Sequence, residues 1–336
     1  MKAILLKAKN EVELSEIDEP FLGDNDVKIE IHYCGLCGSD LHKVDGRKTI
    51  RPLSFPVVLG HEISGVVEAV GKNVTNFKKG DRVTVNPNWA CGECYYCKKN
   101  LPHLCINSRG VVKGMAEHVC CPQENVYHLP DNLSLIDASL SEPLSCCIHG
   151  VDELNVNQDS TVAIVGMGAI GTMILQLIKL EGVKNIIVID VDESKKDKAF
   201  RLGASEFLNP NSDNFMDAIK DKYIDKIIEC VGSIHTFKTC IDIACKGATI
   251  VIFGLVKPDD VIDFNVYDFS IKELTIKAAL LNPNTMTRAI ELLSNKKINI
   301  EETISKILSP LKMVEEIYKR EFIKNGKVIV EFKKED

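Results

Sequence analysis

Four cysteines lie close together in the sequence at the spacing of a metal site. Cys91, Cys94 and Cys97 are separated by two residues each, and Cys105 follows after seven more. Thiolates at this spacing let one loop surround a tetrahedral zinc ion, and four of them leave no position for a substrate. The sequence therefore predicts a structural zinc site held by these four thiolates. His103 could compete with Cys105 as the fourth ligand, but the thiolate is favoured.

A second set of metal-binding side chains is spread over three parts of the chain. It comprises Cys37, Ser39, Asp40 and His42 in one segment, His61 and Glu62 in a second, and Glu142 in a third. One thiolate, one imidazole and one or two carboxylates suit a zinc ion that keeps a position open for water or substrate. Each residue alone is more often structural, so the prediction of a catalytic metal depends on their occurring together.

A glycine motif follows an apolar run in the middle of the chain. Residues 161–165 are apolar, Gly166, Gly168 and Gly171 come next, and Asp190 ends the following apolar run. Such glycines allow a tight turn and a close approach of a pyrophosphate to the amides at the start of a helix. A carboxylate at the second strand end binds ribose hydroxyls and repels a 2′-phosphate. The sequence therefore predicts binding of NAD rather than NADP.

The elements that position these groups form two patterns. The first third predicts short strands of a small β-barrel-like domain at 27–32, 62–70, 81–85 and 117–120. From residue 159, strands alternate with helices, as in a parallel sheet covered on both faces. The predicted strands are 161–165, 185–189, 225–229, 248–253 and 274–279, and the helices are 169–180, 193–202 and 236–244. After residue 283 the sheet pattern stops, and helices at 285–294 and 310–319 precede one strand at 327–332.

Composition excludes several classes of protein. The 336 residues carry a net charge of −7, with 45% hydrophobic and 26% charged residues, which argues against a disordered chain and against nucleic-acid binding by a basic surface. Residues 160–178 are uncharged and long enough to suggest a membrane span, but their glycines favour strand, turn and helix. With 13 cysteines and no recognisable secretion signal, we expect reduced thiols, no membrane partner and a cytoplasmic location.

Taken together, these segments resemble the zinc-containing medium-chain dehydrogenase family over nearly the whole chain. The segments that carry the resemblance are residues 37–42, 60–67, 80–83 and 142–145, the four-cysteine loop and the glycine motif. Within the family, the chain is most similar to the sorbitol, threonine and butanediol dehydrogenase branch. The reason is that Glu142 stands where other alcohol dehydrogenases have a zinc-binding cysteine.

The resemblance implies roles for individual residues. Cys37 and His61 would bind the catalytic zinc, with Glu62 and Glu142 as alternating or water-mediated ligands, whereas Cys34 would not be a ligand. Asp40 would orient His61, Ser39 would hold the substrate oxygen, and His42 would end the proton relay. The residues implied to contact NAD are Gly166, Gly168, Ile170, Gly171, Asp190 and Lys195.

The resemblance also implies the architecture and the reaction. The fold would be α/β, with a GroES-like β-barrel catalytic domain at 1–143 and 282–336, which carries a structural zinc lobe at 86–106. A Rossmann domain with a doubly wound parallel sheet would bind NAD at 144–281. The expected enzyme is a homo-oligomer, dimer or tetramer, with two zinc ions per chain.

We expect the reaction to be oxidation of a secondary alcohol by NAD to a ketone. The alcohol would be a polyol, a sugar-derived alcohol or an amino alcohol. The alternatives are an L-threonine 3-dehydrogenase, a butanediol dehydrogenase or a non-enzymatic redox sensor that binds NAD and zinc. Residues 279–283 lack the arginine usual in the polyol branch, so the sequence leaves the substrate open.

Overall fold

The computed structural model describes residues 1–48, 53–320 and 326–335. The chain packs as two compact units. The first unit comprises Met1–Ser145 and Pro283–Asp336, and the second comprises Cys146–Asn282.

The first unit is built mainly from antiparallel strands. Its strands are β1 (Lys2–Ala8), β2 (Glu11–Glu16), β3 (Asp26–Gly35), β4 (Val57–Val58), β5 (Glu62–Val70), β6 (Arg82–Val85), β7 (Asn88–Trp89), β8 (Gly110–Val111), β9 (His118–Pro122), β10 (Val126–His128), β17 (Ile304–Leu308) and β18 (Lys327–Glu331). The largest sheet has the order β10-β6-β5-β3-β18-β17, and β9 also pairs with β3. A three-stranded sheet (β2-β1-β4) and the pair β7-β8 complete the unit.

The helices of the first unit are short and flank these sheets. They are α1 (Gly38–Val44), α2 (Tyr95–Lys98), α3 (Leu135–Ala138), α10 (Met286–Ser294) and α11 (Pro310–Lys319), with 3-10 turns at Pro102–Leu104 and Gln123–Asn125. Helix α4 (Ser141–Leu154) begins in this unit and ends in the second. Alternating side chains of the strands, such as Val27, Ile29 and Ile31 of β3, are fully buried and form the core.

The second unit is a six-stranded parallel sheet. Its strands are β11 (Thr161–Val165), β12 (Asn185–Ile189), β13 (Glu206–Leu208), β14 (Ile224–Glu229), β15 (Ala244–Ile252) and β16 (Thr275–Ala278). Its helices are α5 (Ala169–Leu180), α6 (Lys196–Arg201), α7 (Phe215–Ile219), α8 (Ile234–Ile243) and α9 (Val266–Ile271), with a 3-10 turn at Glu193–Lys195. The strand order β13-β12-β11-β14-β15-β16 is the doubly wound order. All strands are parallel, but successive strands are added on one side of β11 up to β13 and on the other side from β14 onwards.

The uncharged run 160–178 forms β11, a tight turn and most of α5, and α5 is buried from Gly171 to Ile178. No helix in the described part of the chain is long and apolar enough to cross a membrane.

The expectation that only one strand follows residue 283 is wrong, because β17 pairs in parallel with β18. Strand β17 alternates between half-buried and exposed side chains and has no continuous apolar run.

Candidate functional site

The candidate metal ligands Cys37, His61 and Glu62 meet where β3 ends and β5 begins. Gly35 is paired with Glu62 across these antiparallel strands, and Cys37 follows β3 by two residues, immediately before α1. His61 immediately precedes β5. One donor atom from each of Cys37, His61 and Glu62 lies within 4.8 Å of the others, so the three side chains could hold one metal ion.

Glu142 enters the same region from the first turn of α4 and is buried. The pKa of its carboxyl is raised to about 7, mainly by burial; Glu62 and Cys37 contribute to the rise, and His61 opposes it. Glu142 is not in the group of donor atoms within 4.8 Å, whereas Glu62 is. The structure therefore favours Glu62 over Glu142 as the carboxylate nearest to a metal.

Asp40 joins the two segments that carry Cys37 and His61. Its carboxylate accepts hydrogen bonds from the N–H groups of Cys37 at 3.3 Å and Gly60 at 3.1 Å, and from Lys43 Nζ at 3.0 Å. Asp40 Oδ1 lies 3.8 Å from His61 Nδ1, which is longer than a hydrogen bond. Asp40 thus contacts the backbone beside the imidazole rather than the ring.

Ser39 and His42 lie three residues apart on α1, on neighbouring turns of one face. Both are partly exposed. Burial, followed by the charge of Arg47, lowers the pKa of His42, which favours the neutral form of its ring.

Lys327 was not predicted from the sequence, yet it lies beside the candidate metal ligands. It begins β18, and its Nζ donates to Glu62 Oε1 at 2.6 Å in an ion pair whose side chains are 6% and 1% exposed. Burial opposes the charge on Lys327, but the charges of Glu62, Cys37 and Glu142 and the hydrogen bond to Glu62 together outweigh burial, so the pKa of Lys327 is raised. The other oxygen, Glu62 Oε2, is buried without a hydrogen-bond partner. A cation bound by Cys37, His61 and Glu62 would satisfy it.

The four-cysteine loop folds into a compact cluster. The Sγ···Sγ distances are 3.6 Å for Cys94–Cys97 and 3.9 Å for both Cys91–Cys97 and Cys94–Cys105. Tetrahedral zinc with Zn–S bonds of about 2.3 Å requires sulfurs about 3.8 Å apart. The cluster therefore fits zinc, and Cys105, not His103, completes the group of donor atoms.

The backbone of the loop also prepares these sulfurs to bind a cation. Cys91 Sγ accepts the N–H groups of Glu93 and Cys94 at 3.4 and 3.3 Å. A backbone N–H lowers the pKa of the Cys94 thiol to about 6, whereas burial and the adjacent Cys94 raise that of Cys97 to about 12. A cation bound among these sulfurs would favour the thiolate form of the cysteines.

The glycine motif forms the turn between β11 and α5. Gly166 has a φ of +99°, a region that glycine adopts without strain, and a Cβ at Gly171 would overlap the Gly166 carbonyl oxygen. A Cβ at Gly168 would meet no atom within 4 Å, so space is open at the N-terminus of α5, where Ile170 lies in the first turn. This turn can receive a phosphate against its backbone N–H groups.

Asp190 follows β12 beside this turn and is 8% exposed. Its carboxylate accepts the N–H groups of Met167 at 2.6 Å and Asp192 at 2.9 Å, and Lys195 Nζ lies 3.0 and 3.2 Å from its two oxygens. The carboxylate is therefore held rigidly at the strand end, where the ribose of a dinucleotide binds in this fold.

Comparison with known proteins gives two family matches. Residues 23–131 match the alcohol dehydrogenase GroES-like domain, and residues 169–295 match the zinc-binding dehydrogenase family.

Similar proteins match over almost the whole chain. The sorbitol dehydrogenase of Bacillus subtilis is 30% identical, over 91% of this chain and 89% of its own. The D-arabitol-phosphate dehydrogenase of Enterococcus avium is 33% identical, over 91% and 90%. A zinc-binding dehydrogenase from Sinorhizobium meliloti, solved with bound NADP, superposes with a TM-score of 0.91 at 30% identity and covers 98% of each chain.

Proposed function

The chain belongs to the zinc-containing medium-chain alcohol dehydrogenase family, and we propose on that premise that this oxidoreductase transfers a hydride from a secondary alcohol to NAD and forms a ketone. The observation that carries the proposal is the meeting of Cys37, His61 and Glu62 donor atoms within 4.8 Å of one another. In the proposed enzyme, the first unit holds the catalytic metal and the second binds the dinucleotide.

Cys37, His61 and Glu62 would hold the catalytic zinc, with Glu142 available as a further or alternating ligand. Zinc in such a site supplies Lewis acidity, which lowers the pKa of an alcohol. Ser39 Oγ would hydrogen-bond the substrate hydroxyl. The ring of His42 would pass the proton on at the outer end of the path.

Cys91, Cys94, Cys97 and Cys105 would hold a second zinc ion with a purely structural role. Four thiolates fill a tetrahedral coordination sphere, so no position remains for a substrate. The sulfur spacings of 3.6–3.9 Å support this assignment.

We propose NAD as the preferred coenzyme, although the relative from Sinorhizobium meliloti was solved with NADP. Gly166, Gly168 and Gly171 would receive the pyrophosphate beside Ile170. Asp190, with Lys195, would hold the adenosine ribose, and its carboxylate opposes a 2′-phosphate.

We propose a polyol or a sugar-derived alcohol as substrate, because two relatives are named for sorbitol and D-arabitol phosphate. The test is a panel of polyols, sugar phosphates, vicinal diols, hydroxy amino acids and simple alcohols, assayed by NADH absorbance. We expect poor turnover of ethanol and better turnover of polyols or diols. Ethanol as the best substrate would contradict the proposal, and threonine as the best would favour the threonine dehydrogenase alternative.

We further propose a cytoplasmic homo-oligomer, either a dimer or a tetramer. The chain carries 13 cysteines, and four of them form a loop whose sulfurs could hold a metal ion, which suits a reducing compartment. Val261, Val266 and Tyr267 are apolar or aromatic side chains that are 67–78% exposed, a pattern that a subunit interface would explain. Light scattering of the purified protein would give its mass, and a monomer would contradict this proposal.

A further inference from the structure

The ion pair between Lys327 and Glu62 fixes the orientation of the Glu62 carboxylate. Strand β3 ends between β5 and β18, so β5 presents Glu62 and β18 presents Lys327 from opposite sides. Lys327 Nζ lies 2.6 Å from Glu62 Oε1 and 3.3 Å from the carbonyl oxygen of Leu36. With two acceptors, the ammonium group is fixed, and it fixes one carboxylate oxygen in turn.

The second oxygen of Glu62 is left for another partner. Glu62 Oε2 is buried and has no hydrogen-bond partner, although a buried carboxylate oxygen normally has one. The side chain also belongs to the group of donor atoms formed with Cys37 and His61. Because Oε1 is held by Lys327, the oxygen available to a metal is Oε2.

Gly35 leaves the space that this carboxylate occupies. Gly35 pairs directly with Glu62 across β3 and β5. A Cβ atom at Gly35 would overlap Glu62 Oε2. The backbone at Gly35 is extended and does not require glycine, so the reason for glycine is the carboxylate itself. Any larger residue would displace Glu62.

A second lysine–glutamate pair in the same unit provides a comparison. Lys306 on β17 lies 2.9 Å from Glu316, whose side chain is 5% exposed and also has one oxygen without a partner. Neither residue belongs to a group of metal-binding donor atoms within the described ranges. This pair lies outside the candidate metal group, so it is a matched control for the Lys327–Glu62 pair.

We propose that Lys327 and Gly35 are positioning residues that hold Glu62 with its Oε2 directed to the catalytic zinc. Lys327 acts through charge and hydrogen bonding, and Gly35 acts by leaving space. This inference rests on the proposed zinc site and adds the reason why Glu62, rather than Glu142, is the carboxylate ligand. Partners of metal ligands at such positions typically change metal affinity 10- to 100-fold when they are replaced.

The experiment is a chelator titration of the zinc-loaded, full-length protein with the released zinc measured by a colorimetric indicator. Cys37→Ser identifies which phase of release belongs to the catalytic site. We expect Lys327→Met and Gly35→Ala to release that zinc at a chelator concentration about 10- to 100-fold lower than wild type. Lys327→Arg should recover part of the affinity, and Lys306→Met should leave it unchanged.

A double-mutant cycle distinguishes positioning from a general loss of packing. If Lys327 acts through Glu62, Lys327→Met should lower zinc affinity in the wild-type background and have little further effect in Glu62→Gln. The double variant contains no unpaired buried charge, so it can be measured even if Lys327→Met alone folds poorly. The visible spectrum of the cobalt-substituted site should shift in Lys327→Met and not in Lys306→Met.

The outcomes separate this inference from the proposed function. Equal affinity losses from Lys327→Met in both backgrounds, or unchanged zinc release from Lys327→Met and Gly35→Ala, would overturn the positioning role and leave the zinc site in place. A wild-type protein that binds zinc only at the four-cysteine loop would overturn both.

Discussion

Replacement of Asp40 by asparagine should destabilise the first unit by an amount that the structure allows us to calculate. Asp40 is fully buried and bonds the backbones of Cys37 and Gly60 as well as Lys43. Asparagine keeps the shape of the side chain and removes its charge. The two segments that carry Cys37 and His61 would then lose their shared anionic acceptor.

The magnitude follows from the ionisation of Asp40. Burial alone would raise its pKa, but the charges of Lys43 and His61 and the hydrogen bonds from Lys43 and Gly60 outweigh burial and lower the pKa from 3.8 to about 2. At about 1.4 kcal/mol for each pKa unit, the ionised carboxylate stabilises the folded protein by about 2 kcal/mol at neutral pH. We expect Asp40→Asn to cost a similar amount.

The pH dependence has a definite sign. Because the pKa is lower in the folded state, the unfolded chain binds more protons in acid, and the stabilisation is present above the unfolded pKa of 3.8. It is lost as the pH falls towards about 2. The difference between wild type and Asp40→Asn should therefore shrink to roughly half by about pH 3.

Urea unfolding followed by tryptophan fluorescence measures this difference. Trp89 is the only tryptophan and lies on β7 of the first unit, so its emission reports on that unit. Asp24→Asn is the control, because its ion pair with Lys72 is exposed and should be worth less than about 1 kcal/mol. Equal urea midpoints for wild type and Asp40→Asn at pH 7, or a difference that persists in acid, would refute the reasoning.

Three further predictions concern the cofactor and the metals. Wild type should prefer NAD over NADP by at least about tenfold in kcat/KM, and Asp190→Ser should narrow that ratio; equal use of both by wild type would contradict the role of Asp190. Cys91→Ser should lose one zinc and melt earlier, whereas Cys37→Ser should lose the other zinc and its activity but keep its fold and NAD binding, as metal analysis and melting curves would reveal. Because burial raises the pKa of Glu142 from 4.5 to about 7, the folded metal-free protein should lose stability as the pH rises through this range, and urea midpoints of Glu142→Gln should lack that slope.

Local patterns were sufficient to predict much of the second unit. Strands β11 and β12 and helix α5 have the bounds expected from the sequence. A central parallel strand is buried on both faces and reads as a continuous apolar run, so its length is visible in the chain. The four-cysteine loop was equally accessible, because its donor atoms come from 15 consecutive residues and meet with little help from the rest of the fold.

Contacts between distant segments were not accessible in this way. The apolar residues of strand β17 neither run continuously nor alternate, so the strand is not recognised from the sequence alone, and in the fold it pairs with β18. Lys327 and Glu62 are 265 residues apart, and their contact depends on the register of both strands with β3. From the sequence alone, a lysine at the start of a strand is expected to be exposed to solvent. It becomes a buried partner of Glu62, the proposed zinc ligand, only when the sheet forms. The reason for glycine at position 35 likewise emerges only from the pairing of β3 with β5.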